Sequence, residues 1–226
     1  RQFSVKHTNE TGITFVNALD PKPELNILNY IYYYNGAGVA TADFNNDGLV
    51  DIFFTANQLA PELYLNLGDL KFVQAPIGLD VDFSEGWTNG VSIVDINNDG
   101  WMDLYLCRVG SHPGMSGQNI LLVHQGLDQN NHPIFEDQAK DYGLDFKGYA
   151  TQAAFFDYDL DGDLDIYLMN HSINPNQNYG KGAKRKEIDH DSGDKLLENN
   201  SGHYADVTES MGVFQGSIGY GLGLSI

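Results

Sequence analysis

The stretch DYDLDGDLD, Asp157–Asp165, decides how this chain folds, and it has two relatives, DFNNDGLVD at Asp43–Asp51 and DINNDGWMD at Asp95–Asp103. Each reads D-x-[DN]-x-D-G-x-x-D, and each is followed at once by an apolar run. The spacing places oxygen-bearing side chains at loop positions 1, 3, 5 and 9. Glycine at position 6 permits a sharp turn, because glycine reaches positive φ without steric cost.

Alternating oxygen groups around a tight turn are typical of a calcium site, because Ca²⁺ takes about six to eight hard oxygen ligands. Position 7 would supply its backbone carbonyl, which explains why its side chain varies among the loops. We therefore predict three Ca²⁺ sites, one in each loop. The candidate ligands are Asp43, Asn45, Asp47, Leu49 and Asp51 in the first loop, Asp95, Asn97, Asp99, Trp101 and Asp103 in the second, and Asp157, Asp159, Asp161, Asp163 and Asp165 in the third.

An EF-hand is the obvious alternative, but it needs a bidentate glutamate at position 12 and a helix on each side. Position 12 here is Phe54, Leu106 or Leu168, and the flanking runs are rich in the aromatic and β-branched residues of strands. Three ordinary acidic hairpin turns are a second alternative, since Asn-Asp-Gly is also a common turn. Recurrence of the loop at matching places in a larger repeat favours metal binding.

The loops mark an internal repeat, because their first aspartates are 52 residues apart (43 to 95) and then 62 residues apart (95 to 157). Each unit has a small-residue strand before the loop, an apolar strand after it and two further strands, and we find no long amphipathic helix. Four-stranded units at about 50–60-residue spacing predict an all-β fold, a β-propeller. Its complete blades would be residues 36–85, 86–148 and 149–213.

The two ends of the sequence match partial blades. Residues 1–17 resemble the last strand of a neighbouring blade, and residues 214–226 resemble the first strand of a following one. A closed propeller needs at least about four blades. We therefore expect residues 1–226 to be one incomplete propeller domain, part of a ring of about seven blades or one whose open edges are covered by self-association.

Composition limits the classes of function. The chain is 42% hydrophobic, enough for a real core, and its net charge of −19 argues against binding nucleic acid. The loops hold 3, 3 and 5 aspartates, so 11 of the 31 acidic residues lie in them. The sole cysteine, Cys107, excludes an intrachain disulfide, and no run approaches the ~20 apolar residues of a membrane span.

Other residues are expected to have ordinary structural roles. We expect most large strand side chains to fill the space between stacked blades, and the tyrosines of the 16–35 segment to pack in the core rather than stack on a ligand. A basic cluster in the long 171–194 segment is interpreted as a solvated loop that balances the acidic body. The strand residues are Phe53, Phe54, Tyr64, Tyr105 and Tyr167; the tyrosines are Tyr30, Tyr32, Tyr33 and Tyr34; the basic residues are Lys181, Lys184, Arg185 and Lys186.

The sequence resembles the FG-GAP/VCBS repeat family of integrin α-subunit propellers, and within it the propeller of ASPIC/UnbV proteins, the group that includes cartilage acidic protein. The resemblance rests on NGAGVATADFNNDGLVDIFFT at 35–55, LYLNLGDLKF at 63–72, ATQAAFFDYDLDGDLDIYLMN at 150–170 and LLENNSGHYADVTESMGV at 196–213. It implies a propeller with Ca²⁺ in the first hairpin loop of each blade. The 124–135 connection and the long insertion after Asn170 depart from the family pattern.

Three functions follow as hypotheses. The first is an extracellular, cell-surface or periplasmic calcium-binding module for adhesion or ligand recognition, whose partner would be a protein or a glycan. The second is a lectin-like, carbohydrate-binding propeller. The third is a polysaccharide lyase or hydrolase, but no catalytic motif is present and we expect no enzyme. The candidate acid–base residues lie in different loops without a recognisable spacing: His112, His171, His190, Arg108 and Glu187.

Overall fold

The computed structural model describes residues 3–79, 81–84, 86–172 and 186–225. Twelve strands and two one-turn helices make up its regular structure, so the predicted all-β class is confirmed. In chain order these elements are α1 (Thr8–Thr11), β1 (Val39–Ala42), β2 (Asp51–Phe54), β3 (Glu62–Asn66), β4 (Phe72–Ala75), β5 (Trp87–Val94), β6 (Asp103–Val109), β7 (Ile120–Leu127), β8 (Pro133–Asp137), α2 (Ala139–Tyr142), β9 (Ala150–Phe156), β10 (Asp165–Asn170), β11 (Lys195–Asn199) and β12 (Tyr204–Asp206).

The strands form three four-stranded sheets in which neighbours along the chain are neighbours in the sheet. Every pairing is antiparallel. The sheets lie within residues 36–85, 86–148 and 149–213, and each acidic loop joins the first two strands of its sheet. This repeated meander is consistent with part of a β-propeller.

The sheets pack face to face through alternating side chains of their second strands, because successive residues of a strand point to opposite faces. Phe53, at position 11 of the repeat, is buried against the second sheet beside Leu104. Tyr105, again at position 11, is buried against the third sheet beside Ile166. Residues at position 11 therefore face the following sheet, and residues at position 10 of that sheet face back. Burial of one such side chain contributes about 1.5–3 kcal/mol.

The first strands of the three sheets approach one another closely, as their small residues predict. A β-carbon on Gly38 would lie 2.8 Å from the Val91 side chain, and one on Gly90 would lie 2.4 Å from the carbonyl oxygen of Thr151. Substituting either glycine would push neighbouring sheets apart. Strands β1, β5 and β9 thus form one inner surface.

Neither terminal segment contains a strand among the described residues, so their assignment as strands of neighbouring blades stays a prediction. Residues 3–17 contain only α1, and Phe15 stacks on Phe54 with ring centroids 4.6 Å apart. Thr14 bonds to the Tyr64 hydroxyl through both its amide (3.2 Å) and its own hydroxyl (3.1 Å). Residues 214–225 contain only an isolated bridge from Gly216 to the 186–190 segment. A strand needs a backbone partner along its length, and in the described residues both segments are held mainly by side chains or single bonds.

The large strand residues behave as expected, since Phe53, Tyr64 and Tyr105 are fully buried and the other two are partly buried. Of the basic cluster, Lys181, Lys184 and Arg185 lie outside the described residues, and Lys186 is exposed. None of the described helices is long and apolar enough to span a bilayer.

Candidate metal sites

The aspartate at position 9 ties each acidic loop to its sheet. In the first loop the buried Asp51 carboxylate accepts hydrogen bonds from the backbone amides of Phe44 (2.9 Å) and Asn66 (2.8 Å). The same pair of bonds recurs in the other loops. Asp103 accepts from Ile96 (2.8 Å) and His124 (2.8 Å), and Asp165 accepts from Tyr158 (3.0 Å) and Asn199 (2.9 Å).

These buried carboxylates favour a neighbouring positive charge. Burial raises the pKa of Asp51, and it raises the pKa of Asp103 to about 6, with backbone hydrogen bonds opposing the shift and the nearby Asp95 and Asp99 adding to it. An ionised carboxylate in such a place is costly unless it is hydrogen-bonded and paired. A bound cation would supply the missing charge.

Positions 1, 3 and 5 wrap around the turn in the same way in each loop. In the first loop, Asp43 accepts from the amides of Asp47 (3.0 Å) and Gly48 (2.8 Å), and Asn45 also accepts from the amide of Asp47 (3.2 Å). The amide of Asp47 therefore donates a bifurcated hydrogen bond to two side-chain oxygens. Equivalent bonds hold positions 1 and 3 of the second and third loops. The sequence prediction that these side chains turn inward together is therefore consistent with the local geometry.

The backbone of each turn enters the left-handed region twice. The position-6 glycines have φ of 88° at Gly48, 88° at Gly100 and 100° at Gly162, as the motif predicts. Position 4 also has positive φ, and sequence reasoning missed it. Asparagine tolerates this conformation at that position in the first two loops, but Leu160 in the third is uncommon there, with φ of 66°.

The third loop brings its acidic groups closest to a metal-binding arrangement. Carboxylate oxygens of Asp157, Asp159 and Asp165 lie within 4.8 Å of one another. Partial desolvation, together with the neighbouring carboxylates, raises the pKa of Asp159 and of Asp163. In the first two loops position 3 is an asparagine, so a neutral amide oxygen takes the place of one carboxylate.

Position 7 is Leu49 in the first loop and Trp101 in the second, and neither side chain has an oxygen that could bind a metal. Both side chains lie partly exposed at the surface. The backbone amide of position 7 donates to the position-5 aspartate, with a distance of 2.8 Å for Leu49 and 2.8 Å for Trp101. The assignment of its carbonyl as a ligand stays a prediction.

His124 of β7 connects the first two loops, a contact that the motif did not predict. The His124 ring donates from Nε2 to the Phe44 carbonyl (2.9 Å) and accepts at Nδ1 from the Gly126 amide (2.9 Å). It also stacks on Trp101, with centroids 4.5 Å apart and planes 13° apart. The equivalent residue in the first and third sheets is an asparagine that bonds within its own unit. Such a cross-sheet bond has no local sequence signal.

Two of the candidate acid–base histidines meet in a buried aromatic cluster. Tyr30 packs edge-on to His112, with centroids 4.9 Å apart, and its hydroxyl bonds to Nε2 of His171 (3.0 Å). Nδ1 of His171 donates to the Ser172 carbonyl (3.0 Å), and burial lowers the pKa of this histidine to about 4.

The remaining candidates lie elsewhere. His190 and Glu187 are exposed, and Arg108 is buried with its guanidinium over the Phe83 ring, 5.4 Å from the centroid. Three of the four clustered tyrosines are core residues, as predicted, and the fourth, Tyr34, is 67% exposed.

Residues 43–106, which contain the first two loops, match the family model described as FG-GAP-like repeat. This part of the chain is therefore similar to that family. The match begins at the first aspartate of the first loop and ends within β6, so it spans the repeat that the loops define.

Three curated proteins are similar to this chain at low identity. The chain is 25% identical over 139 residues to cartilage acidic protein 1 of Mus musculus, 26% over 137 residues to that of Homo sapiens and 28% over 139 residues to that of Xenopus tropicalis. Each alignment covers 60% of this chain and 20–21% of the relative. The aligned region thus spans about a fifth of the length of these relatives.

Proposed function

We propose that the three acidic loops bind Ca²⁺ and that this domain is an extracellular module for adhesion or ligand recognition, with a protein or a glycan as its partner. The observation that carries the proposal is the convergence of Asp157, Asp159 and Asp165 within 4.8 Å, in a loop whose hydrogen-bonding pattern recurs in the other two. Hard oxygen ligands around a glycine turn are what Ca²⁺ prefers.

The metal would act first on stability. Without a cation each loop holds three or more carboxylates close together, and their repulsion weakens the hairpin that the position-9 aspartate anchors. Extracellular Ca²⁺ sites often have dissociation constants of ~10⁻⁴–10⁻³ M. At about ten times the dissociation constant, each site would stabilise the fold by about 1.4 kcal/mol.

The extracellular assignment has one support. The matched relatives are named for cartilage and for acidity, and this chain also has a strongly acidic net charge of −19.

Thermal unfolding in EDTA, in Mg²⁺ and in Ca²⁺ tests the calcium proposal. We expect chelation to lower Tm and Ca²⁺ to restore it, with Mg²⁺ restoring much less because it demands a tighter octahedral shell. The double variant Asp157→Ala, Asp159→Ala should retain only part of the Ca²⁺ response, while Asp69→Ala, an exposed aspartate of the β3–β4 turn, should retain all of it. An unchanged Tm of the unaltered chain across all three conditions would contradict the proposal.

The second candidate function, carbohydrate binding, is favoured by one specific observation. An uncharged polar pocket lies at the end of the inner strands away from the acidic loops. It is the subject of the next section.

A further inference from the structure

A pocket of about 320 Å³ opens where the inner strands β1, β5 and β9 begin. The acidic loops follow the other ends of these strands, so the pocket and the loops lie at opposite ends of the same surface. Residues from all three sheets contribute to its lining, together with the 221–222 segment. Its polar side chains come from Tyr32, Asn35, Asn89, Thr151 and Gln152.

The lining carries no formal charge, although the whole chain has a net charge of −19. Amides, hydroxyls and glycine backbone provide its polar groups. An anion would find no cationic partner here and would be repelled by the body of the protein. A divalent cation would find no carboxylate here, whereas the loops offer several. The chemistry therefore favours a neutral ligand with many hydroxyl groups.

One residue of the lining has a buried polar atom without a partner. The Tyr32 hydroxyl accepts and donates no hydrogen bond among the described residues, although the side chain is only 4% exposed. The ring is held in place by stacking on His171, with centroids 3.9 Å apart. Buried polar groups are nearly always hydrogen-bonded, so an unpartnered one beside a pocket points to a missing ligand or water.

The pocket wall is fixed by two buried polar residues of the first sheet. Thr55 accepts from the Gly38 amide (2.6 Å) and donates to the Asn89 carbonyl (3.0 Å). Asn57 donates to the carbonyls of Gly36 (2.9 Å) and Thr88 (2.8 Å). These bonds hold the glycine backbone that lines the pocket.

The repeat itself does not require these two residues. Thr55 and Asn57 stand at positions 13 and 15, and the second sheet has the buried Cys107 and Val109 at the same positions. Buried polar side chains are costly unless fully hydrogen-bonded, and apolar ones satisfy the packing. The first sheet thus has a polar network where the fold accepts an apolar one, and that network preorganises the pocket.

We propose that this pocket binds a neutral carbohydrate, with one sugar unit seated against Tyr32 and hydrogen-bonded by the surrounding amides and hydroxyls. A volume of about 320 Å³ lies at the small end of the range of ligand pockets, which suits a single sugar unit rather than a long chain. This inference goes beyond calcium binding and does not depend on it.

The test uses a panel of neutral methyl glycosides, with free uronic acids for comparison, in saturation-transfer NMR on the whole chain. Tyr32→Phe is the decisive variant. Because its hydroxyl has no partner among the described residues, the change should leave Tm unchanged or slightly higher while weakening sugar binding at least about tenfold. Tyr33→Phe is the matched control, since the Tyr33 hydroxyl is also buried without a described partner but does not line the pocket. It should leave binding unchanged.

A second variant, Asn35→Ala, removes an exposed amide at the pocket rim and should also weaken binding. The proposal is overturned if no neutral glycoside binds the folded chain, if uronic acids bind equally well, or if Tyr32→Phe and Tyr33→Phe bind alike. Folding of each variant is checked by a cooperative thermal transition without added Ca²⁺, so failure of the sugar proposal and failure of the calcium proposal are separate results.

Discussion

The two ends of the inner strands satisfy their polar groups in opposite ways. At the loop end, carboxylates from nine consecutive residues gather around a turn, and their negative charge has no cationic side chain to balance it in the hydrogen bonds and ion pairs of the described loops. At the pocket end, neutral groups from distant segments pair with one another. Tyr30 with His171, and Asn57 with Gly36, are examples.

The difference shows which polar groups need a partner from solution and which groups find their partner within the chain. On the proposal that the loops bind Ca²⁺, the loop end takes up an external cation, because like charges held together repel one another. The pocket end is complete except for a few groups such as the Tyr32 hydroxyl. Clustered negative charge therefore indicates the candidate metal sites, and a missing hydrogen-bond partner indicates the pocket.

The largest expected effect is at position 9 of the third loop. Asp165→Ala removes a proposed ligand and also leaves the amides of Tyr158 and Asn199 without their acceptor. We expect a loss of about 2–6 kcal/mol in the free energy of unfolding, since each unpaired buried group costs about 1–3 kcal/mol. The loss should persist in EDTA, and urea denaturation measures it.

Asp161→Ala in the same loop is the matched comparison, because Asp161 is exposed and, among the described residues, its carboxylate accepts only from the amide of Asp163. It should reduce stability in Ca²⁺ much more than in EDTA. Equal losses for the two variants in EDTA would break the distinction between anchoring and ligand aspartates.

The next effect is a pH dependence at the pocket end. The folded-state pKa of His171 is lowered to about 4, whereas an unfolded histidine titrates near 6.5, so the unfolded chain binds the extra proton first as pH falls. The contribution of His171 to the free energy of unfolding is fully present above about pH 6.5. Acidification towards pH 4 removes roughly 3 kcal/mol of it. Unfolding free energies across that range should fall less steeply in His171→Gln. His190→Gln, at an exposed histidine, should follow the unaltered chain.

A smaller effect compares the loops with one another. Asp159→Asn gives the third loop the neutral position 3 of the first two. Removing one charged ligand should weaken Ca²⁺ binding there by about tenfold, which corresponds to about 1.4 kcal/mol. The reverse change, Asn45→Asp, should strengthen the first site. Calorimetric titration of both variants measures this, and an unchanged affinity in both would show that position 3 is not a ligand.

The smallest effect is at Trp101, whose side chain we assign no role in metal binding. Ca²⁺ should change its fluorescence, because its ring stacks on His124 beside the loop. Trp101→Phe should remove that signal while changing the calorimetric affinity by less than about twofold, since a backbone carbonyl is retained. The other tryptophan, Trp87, is fully buried at the pocket end and provides the constant background.

The loop end was predictable from the sequence, and the pocket end was not. All candidate ligands of a site lie within nine residues, so their spacing alone predicts the geometry of the turn. The four-stranded meander followed from the same period. By contrast, Tyr30, His112 and His171 meet from segments up to 141 residues apart, and no local pattern records that contact.

The same reasoning applies to the terminal segments. They have strand-like patterns, yet a strand forms only beside a partner, and the sequence of one segment does not identify that partner. The bond from His124 to the Phe44 carbonyl likewise crosses two sheets and depends on their packing.

The number of Ca²⁺ ions bound per chain tests the central claim most directly. Isothermal titration of the metal-free chain at about millimolar Ca²⁺, in the affinity range of extracellular sites, should give three ions. The double variant Asp157→Ala, Asp159→Ala should give two, with the remaining sites unchanged. Binding of no calcium by the folded chain, or the same number of ions in both proteins, would contradict the account.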